Sequence, residues 1–212
     1  MDGWPVEGAI AVDLSEGDRN PLRAALCLTN FTVELWNAGH ELFRSTPETF
    51  PVPLFKGDIL DPAFLTPAPP LPTSSTAPDG PPIREATSLS QLIGRISAIY
   101  VGSFFHLFKF DGQEKVARRL APLLSPLPGS MIFGSHGGLP EKGQWCPDAG
   151  TRMDCHSPES WEELWVGIFS EVGAQVKVEA TVRKHIGGLS VFGTYPGNTK
   201  QRYWLDWSVT RI

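Results

Sequence analysis

Short apolar runs, separated by helix-like segments, constrain the fold of this chain more than any other feature. Each run is mostly aliphatic, which is typical of strands that are covered on both faces of a sheet. We predict four such strands, at 8–13, 52–58, 96–102 and 130–135. Between them, apolar residues at helical spacing predict helices at 31–44 and 111–125. Strands that alternate with helices predict an α/β fold with a mainly parallel sheet.

The last part of the chain changes to an antiparallel pattern. Ser157 suits a helix N-cap, Pro158 suits the first helical position, and Glu159 suits the positive end of the helix dipole. Two strand-like segments follow, at 175–184 and 202–211, and the second alternates apolar and polar residues strictly. We therefore predict a helix from residue 157 and then an antiparallel strand pair that closes one edge of the sheet.

Three segments are predicted to lie outside helices and central strands. Residues 66–82 are rich in Pro, Ser and Thr, which predicts an extended surface loop. Residues 15–30 stand where a turn of about 2 to 6 residues is usual, so we interpret them as an insertion. A glycine-rich loop is predicted from about 136 to 156. We expect residues 1–212 to form a single domain, because this length is enough for one sizeable core.

Composition limits which partners and which cellular compartment we expect for this chain. The net charge of -5 argues against a nucleic-acid partner, and no apolar run approaches the roughly 20 residues that span a bilayer. The first residues lack the charged-then-apolar pattern of a signal peptide, which predicts a cytoplasmic protein. The three cysteines are an odd number at irregular spacing, so no disulfide framework is predicted.

Polar residues stand at the ends of three predicted strands. In an open α/β sheet, ligands bind outside the carboxyl ends of the strands, and Asp13, Asp58 and Ser103 fall at such ends. A carboxylate accepts hydrogen bonds from both hydroxyls of a ribose, and a second one accepts from an adenine amino group. The alternative, which the spacing alone favours, is that the two aspartates cap turns or helices.

Several segments in combination carry a resemblance to a known family. The most specific are "GSFFHLF", "PGSMIFGSHGG" and "HSPESWEELW", with support from "AVDL", "ELWNAGHELFR" and "GDILDPAFL". Over roughly residues 8–180 the chain resembles a fungal family of S-adenosylmethionine-dependent methyltransferases of secondary metabolism, including meroterpenoid pathways. The resemblance implies a class I methyltransferase fold, a Rossmann-like, seven-stranded sheet whose last strand is antiparallel.

The resemblance also implies an activity and a site. The cofactor would be S-adenosylmethionine, and the methyl group would pass to an oxygen of a small-molecule metabolite. No nucleic-acid or membrane partner is expected, and a homodimer is left open. The residues that the resemblance assigns to the cofactor are Asp13 and Leu14 at the ribose, Asp58 and Ile59 beside the adenine, and Gly102 and Ser103 near the sulfonium and the substrate.

Two features depart from the family. Its first strand, with a glycine-rich turn that lets backbone approach the cofactor closely, has no counterpart before residue 8. In the family's sheet that strand lies between the second and the fourth. In the family, the helix follows the acid at the end of the strand almost directly, whereas here residues 15–30 lie between the two. This difference suggests a retained intron or a faulty gene model. The second interpretation is therefore a methyltransferase-like fragment, truncated at its N-terminus, that acts as a non-catalytic partner or has no function.

Histidines and cysteines are the remaining candidates for chemistry. His106 follows the third predicted strand and is a weak candidate for a base or a substrate contact, although a structural histidine is the favoured alternative. No metal site is predicted, because the other ligand-type residues match no zinc spacing. Those residues are His136, Cys146, Cys155 and His156. Most of the tryptophans at 161, 165, 204 and 207 are predicted to lie in the core.

Overall fold

Two compact units make up the protein. The computed structural model describes residues 11–15, 31–50, 54–146, 152–184 and 201–212. One unit comprises Met1–Ala68 with Pro78–Ile93, and the other comprises Pro69–Ala77 with Gly94–Ile212. Each unit has its own sheet.

In its described residues, the first unit contains a two-stranded parallel sheet and one α-helix. Its strands are β1 (Ala11–Ser15) and β2 (Leu54–Asp58), and helix α1 (Phe31–Phe43) connects them in sequence. Two parallel strands need a crossover connection of this kind, so the predicted alternation of strand and helix is confirmed here. Gly57 is required in β2 because an added Cβ would lie 2.3 Å from the ring of Phe64.

The second unit is built on a four-stranded sheet. Its strands in chain order are β3 (Ala98–Gly102), β4 (Met131–Gly138), β7 (Val176–Lys184) and β8 (Tyr203–Arg211), and a small hairpin of β5 (Gly143–Trp145) and β6 (Met153–Cys155) follows β4. The spatial order is β3–β4–β8–β7. β3 is parallel to β4, and β8 is antiparallel to both β4 and β7. The antiparallel pair predicted for the end of the chain is therefore confirmed.

Two helices of this unit are capped in different ways. Helix α3 (Pro158–Ser170) begins with a capping box, in which Ser157 and Ser160 each accept a hydrogen bond from the other's backbone N–H. Helix α2 (Phe110–Leu120) has no cap from its own N-cap residue. Its first N–H instead donates to a carboxylate oxygen of Asp154, at 3.1 Å. A partner 44 residues away gives the sequence no local sign of this cap.

The core of the second unit is aromatic. Strand β8 buries Leu205, Trp207 and Val209 and leaves the residues between them partly exposed, which confirms the predicted alternation. Trp161 and Trp165, one helical turn apart on α3, are fully buried against this face. The ring of Trp161 lies 5.0 Å from that of Trp207.

The proline-rich segment 66–82 contains neither helix nor strand. In the part that belongs to the second unit, the carbonyl of Leu71 accepts a hydrogen bond of 2.7 Å from Nη2 of the buried Arg211. The guanidinium also lies over the ring of Phe169, 5.1 Å from its centroid. No helix in the described residues is long and apolar enough to cross a membrane.

Three predictions are not confirmed in full by the observed elements. The predicted loop at 136–156 is wrong in part, because β4 continues to Gly138 and the β5–β6 hairpin follows. Gly138 suits this strand because an added Cβ would lie 2.6 Å from Leu205. The described strands form separate sheets, so one sheet with four parallel strands stays a prediction. Of the predicted insertion at 15–30, only Ser15, the end of β1, lies within the described residues.

Replacing Ser157 with alanine should destabilise the second unit by removing the cap of α3. We expect the free energy of unfolding to fall by about 1 kcal/mol, the usual cost of losing a serine N-cap. The control is Ser170→Ala, because Ser170 is exposed and donates only to the carbonyl of Gly167 within the last turn. Chemical denaturation would measure both, and equal effects would contradict the role of the cap.

Candidate functional site

The predicted site residues fall into two groups, one in each unit. The groups share one property, which is that each lies at the carboxyl end of a parallel strand pair. In the first unit these residues are Asp13, Leu14, Asp58 and Ile59, and in the second they are Gly102, Ser103 and His106.

In the first unit, the backbone register places the two aspartates near each other. Asp13 stands beside Lys56, and Ser15 stands beside Asp58. Asp13 is therefore on the strand next to Asp58, two residues before the position that pairs with Asp58. The side chains of Asp13 and Leu14 lie outside the described residues.

The other two residues of this group are used by the fold itself. Oδ1 of Asp58 accepts a hydrogen bond from the N–H of Leu60, at 2.8 Å, so this carboxylate caps a turn as the alternative proposed. Ile59 has 0% exposure and packs in the core of its unit. It offers no side-chain surface to an adenine in this structure.

In the second unit, Ser103 has an unusual backbone conformation. Its φ is +53°, the left-handed region that residues other than glycine seldom enter. Its N–H donates to the carbonyl of Ser135 on β4, at 2.7 Å, and its side chain is exposed. Strained residues of this kind cluster at functional sites, because the surrounding structure must hold them in place. Ser103 is therefore the strongest structural candidate among the predicted residues.

The space above Gly102 is occupied by a neighbour on the same face of the strand. An added Cβ at Gly102 would lie 2.6 Å from the hydroxyl of Tyr100, so the phenol ring lies over the glycine. Tyr100 is itself 69% exposed. A ligand that approaches the backbone of Gly102 from this face has to displace that ring.

His106 lies where β3 and β4 end. It sits on a short 3-10 helix, Phe105–Leu107, and its Nδ1 accepts a long hydrogen bond of 3.4 Å from the N–H of Gly137. Its ring lies edge-on to Trp204, with 6.1 Å between centroids. When Nδ1 accepts, the neutral ring carries its proton on Nε2. These contacts favour the structural alternative and a hydrogen-bond donor over a general base.

The β5–β6 hairpin lies against this end of the sheet and was missed in the sequence. The guanidinium of Arg202 lies over two indole rings, 5.6 Å from that of Trp145 and 5.4 Å from that of Trp204. The Nε1–H of Trp145 also donates to the carbonyl of Gln201, at 3.1 Å. Strands of three residues carry too short a pattern to be recognised, and only the indole at 145 was a visible signal.

Beneath this surface, two histidines are buried among aromatic rings. His136 is fully buried, and its Nδ1 accepts a hydrogen bond of 2.9 Å from Nε1–H of Trp207. Burial holds the pKa of His136 well below its ordinary value, and the nearby His106 and His156 lower it further. Burial also lowers the pKa of His156 to about 4. Both imidazoles are therefore neutral at pH 7, and they stabilise the core rather than carry charge.

The arrangement combines three properties at one end of the second unit. A strained serine follows β3, an imidazole and a glycine N–H lie at the end of β4, and the half-buried indole of Trp204 lies beside the imidazole. Such surfaces can bind a flat or apolar small molecule and donate hydrogen bonds to an oxygen atom. The sequence predicted the serine and the imidazole but not Gly137, Trp145 and Arg202.

Comparison with known proteins identifies several relatives. No family model matches the chain. It is 30% identical over 178 residues to the O-methyltransferase phiE of Fungal sp. strain ATCC 74256, an alignment that covers 83% of this chain and 46% of that protein. It is 31% identical over 114 residues to the methyltransferase adrK of Penicillium rubens, covering 50% and 41% respectively.

A third relative has a more specific name. The Asnovolin E/Chermesin D methyltransferase nvfJ of Aspergillus novofumigatus is 32% identical over 92 residues, which cover 43% of this chain and 33% of that protein. The chain thus spans less than half the length of each of these curated relatives.

Replacing Ser103 with glycine should stabilise the second unit. Glycine adopts a positive φ without strain, and the relief of about 1–2 kcal/mol exceeds the entropic cost of a glycine, about 0.5–1 kcal/mol. Ser103→Ala keeps the strain and should bring no such gain. Denaturant unfolding of both variants would test this, and a Ser103→Gly protein that is less stable than the alanine variant would contradict it.

The stability of the second unit should fall as the pH is lowered below about 6.5. The pKa values of His136 and His156 are lowered in the folded state, so the unfolded state binds more protons in this range. Each histidine should then cost about 1.4 kcal/mol per pH unit, and for His156 this loss should end near pH 4.

The pH prediction is best tested through slopes rather than absolute stabilities. His136→Gln keeps an acceptor for Trp207 but removes one titrating group, so the dependence of unfolding free energy on pH should become shallower between pH 6 and 5. His40→Gln is the control, since His40 lies partly exposed in the first unit. An unchanged slope in His136→Gln would show that His136 does not take up a proton on unfolding.

Proposed function

The chain belongs to a family of fungal methyltransferases of secondary metabolism, and we propose that it forms part of an enzyme that methylates an oxygen atom of a small-molecule metabolite. The methyl donor would be S-adenosylmethionine. The observation that carries this proposal is the alignment with phiE, which extends over 178 residues and therefore includes both units rather than one motif.

We also propose that the chain has a class I methyltransferase fold. We assign β1 and β2 as its second and third strands, β3 and β4 as its fourth and fifth, and β7 and β8 as its last two. Support comes from the pairing within each sheet. β1 and β2 are parallel, β3 and β4 are parallel, and β8 is antiparallel to both of its neighbours, β4 and β7.

Methyl transfer requires little chemical participation from the side chains. When bound, S-adenosylmethionine would supply an activated methyl group to the acceptor oxygen, whose proton would pass to solvent. The protein mainly positions the two reactants and excludes water. In this chain, Ser103 and His106 would orient the acceptor by hydrogen bonds, and the indoles of Trp145 and Trp204 would pack against its apolar part.

Calorimetric titration of the purified 212-residue chain with S-adenosylmethionine would separate the two interpretations of its function. A folded chain that binds the cofactor supports the enzyme. Release of S-adenosylhomocysteine in the presence of hydroxyl- or carboxyl-bearing metabolites would extend that support to methyl transfer. A chain that melts cooperatively but binds no cofactor favours the non-catalytic partner, which the turn-capping by Asp58 and the burial of Ile59 also favour.

Replacing Asp13 with alanine should weaken cofactor binding at least tenfold. A carboxylate that accepts from two ribose hydroxyls contributes about 1.5–3 kcal/mol per charged hydrogen bond, and about 1.4 kcal/mol corresponds to a factor of ten. The measurement is the dissociation constant of S-adenosylmethionine in the longest form of the polypeptide that binds it. Asp79→Ala, in an exposed loop, is the matched control. Equal affinities in the two variants would remove Asp13 from the site.

A further inference from the structure

The β5–β6 hairpin carries different side chains on its two faces. Successive side chains of a strand point to opposite faces, so Met153 shares one face with Trp145, its partner across the pair, and Asp154 shares the other with Gln144. We propose that this hairpin is a fixed wall of the site for the methyl acceptor, that Met153 limits the size of the acceptor, and that Asp154 holds the wall in position. This inference rests on the proposed function, which places the acceptor at this end of the sheet.

The thioether of Met153 lies against the backbone at the end of β4. An added Cβ at Gly137 would lie 2.5 Å from Sδ of Met153, 3.6 Å from its Cε and 3.5 Å from Cβ of His106. Trp204 stands beside Gly137 in the register with β8, and its ring lies 6.1 Å from that of His106. Three side chains therefore surround one glycine, and the absence of a Cβ there leaves room for the thioether.

Met153 is suited to limit the size of a ligand at this place. Its side chain is only partly buried, so it forms part of the surface next to His106. A methionine side chain is apolar and adapts its shape to what packs against it. An acceptor whose oxygen is bound by His106 would therefore meet the thioether with its apolar part. In an apolar pocket, one additional methylene changes the discrimination between ligands by about tenfold or more.

Asp154, on the other face of the hairpin, is bonded to helix α2 and to strand β5. Its two carboxylate oxygens accept from different donors, Oδ2 from the N–H of Phe110 at 3.1 Å and Oδ1 from Nε2 of Gln144 at 2.8 Å. Its backbone carbonyl accepts from Nε2 of Gln113, at 2.8 Å. Gln113 has 0% exposure, and the same Nε2 also donates to the carbonyl of Phe108. One buried carboxylate and one buried amide thus join the hairpin to α2.

Other contacts join the hairpin to β4 and to the segment before β8. The N–H of Leu139, directly after β4, donates to the carbonyl of His156, directly after β6, at 3.0 Å. Nε1–H of Trp145 donates to the carbonyl of Gln201, and its indole lies under the guanidinium of Arg202. Discrimination by size requires a side chain whose supporting residues are themselves fixed. The hairpin meets this requirement on both of its faces.

The affinities of two hydroxyarenes test the role of Met153. The probes are naphthol and anthrol, which share one hydroxyl group and differ by one fused ring. Fluorescence anisotropy of each probe with the 212-residue chain gives its dissociation constant. The wild-type chain should prefer naphthol about tenfold, and Met153→Ala should abolish that preference. Met131→Ala is the matched control and should keep it, because Met131 is also partly buried but begins β4 at the opposite end.

A wild-type chain that binds neither probe would overturn the proposal, and so would an unchanged preference in Met153→Ala. Titration with S-adenosylmethionine keeps this proposal apart from the proposed function. If the cofactor binds but the preference does not depend on Met153, the wall is refuted and the methyltransferase stands. If the preference depends on Met153 but no cofactor binds, the wall stands and the methyltransferase is refuted.

Replacing Asp154 with alanine tests the positioning of the wall. Asp154→Ala removes both carboxylate hydrogen bonds, so the preference for naphthol should fall although Met153 is intact. Asp154→Asn should keep the preference, because its amide oxygen accepts from Phe110 and its amide nitrogen donates to Oε1 of a rotated Gln144. Loss of the preference in both variants would contradict this role, because the hydrogen bonds would then not be what holds the wall.

A third variant separates positioning from stability. Arg118→Ala breaks the exposed ion pair of α2 with Glu171 and should lower the melting temperature without changing the preference for naphthol. An Asp154→Ala chain that melts at a lower temperature but keeps its preference would show that Asp154 is only a helix cap. Equal loss of the preference in Arg118→Ala would show that stability alone governs it, and either result would remove Asp154 from the proposal.

Discussion

The second unit depends on how its aromatic side chains pack between α3 and the β4–β8 pair. Trp161 lies 4.8 Å from Phe105, 4.7 Å from His136 and 5.0 Å from Trp207, measured between ring centroids. Most of these rings meet edge to face, a geometry that places N–H and C–H edges over π faces. Among the described residues, Nε2 of His136 and Nε1 of Trp161 have no hydrogen-bond partner, and the aromatic rings around them offer only weak π acceptors. Such a core tolerates a neutral imidazole but not a charged one.

This packing also determines what the end of the sheet can present. Phe105 is fully buried, and its neighbour His106 is therefore fixed beside Gly137. Ser103 must then reverse the chain within a few residues, between the end of β3 and the short helix, and it does so with a positive φ. The strain at Ser103 is thus a consequence of burying Phe105 while β3 stays parallel to β4. Buried aromatic residues and the exposed candidate site are parts of one local constraint.

How far the sequence could predict this protein depended on the range of each interaction. The N-cap at Ser157, the alternation in β8 and the helices observed at 31–43 and 158–170 follow from residues within a turn or two, and all were predicted; the return bond from Ser160 that completes the capping box was not. The cap of α2 by Asp154 and the contact of Arg202 with Trp145 join residues 44 and 57 positions apart, and no local pattern marks them. The strand-end positions were predicted from the alternation of strands and helices, whereas the φ of Ser103 and the tautomer of His106 depend on packing that spacing does not reveal.

The ring of Tyr100 decides how the end of β3 can be approached. Gly102 ends this strand and Ser103 follows it, and their backbone is what a ligand at the strand end would approach closely. The phenol ring lies over Gly102 and beside Phe133, with 5.5 Å between the two ring centroids. Because Tyr100 is 69% exposed, water rather than packed side chains surrounds most of it, so a ligand can displace the ring at the cost of few contacts. Access to the strand end therefore depends on the position of one side chain.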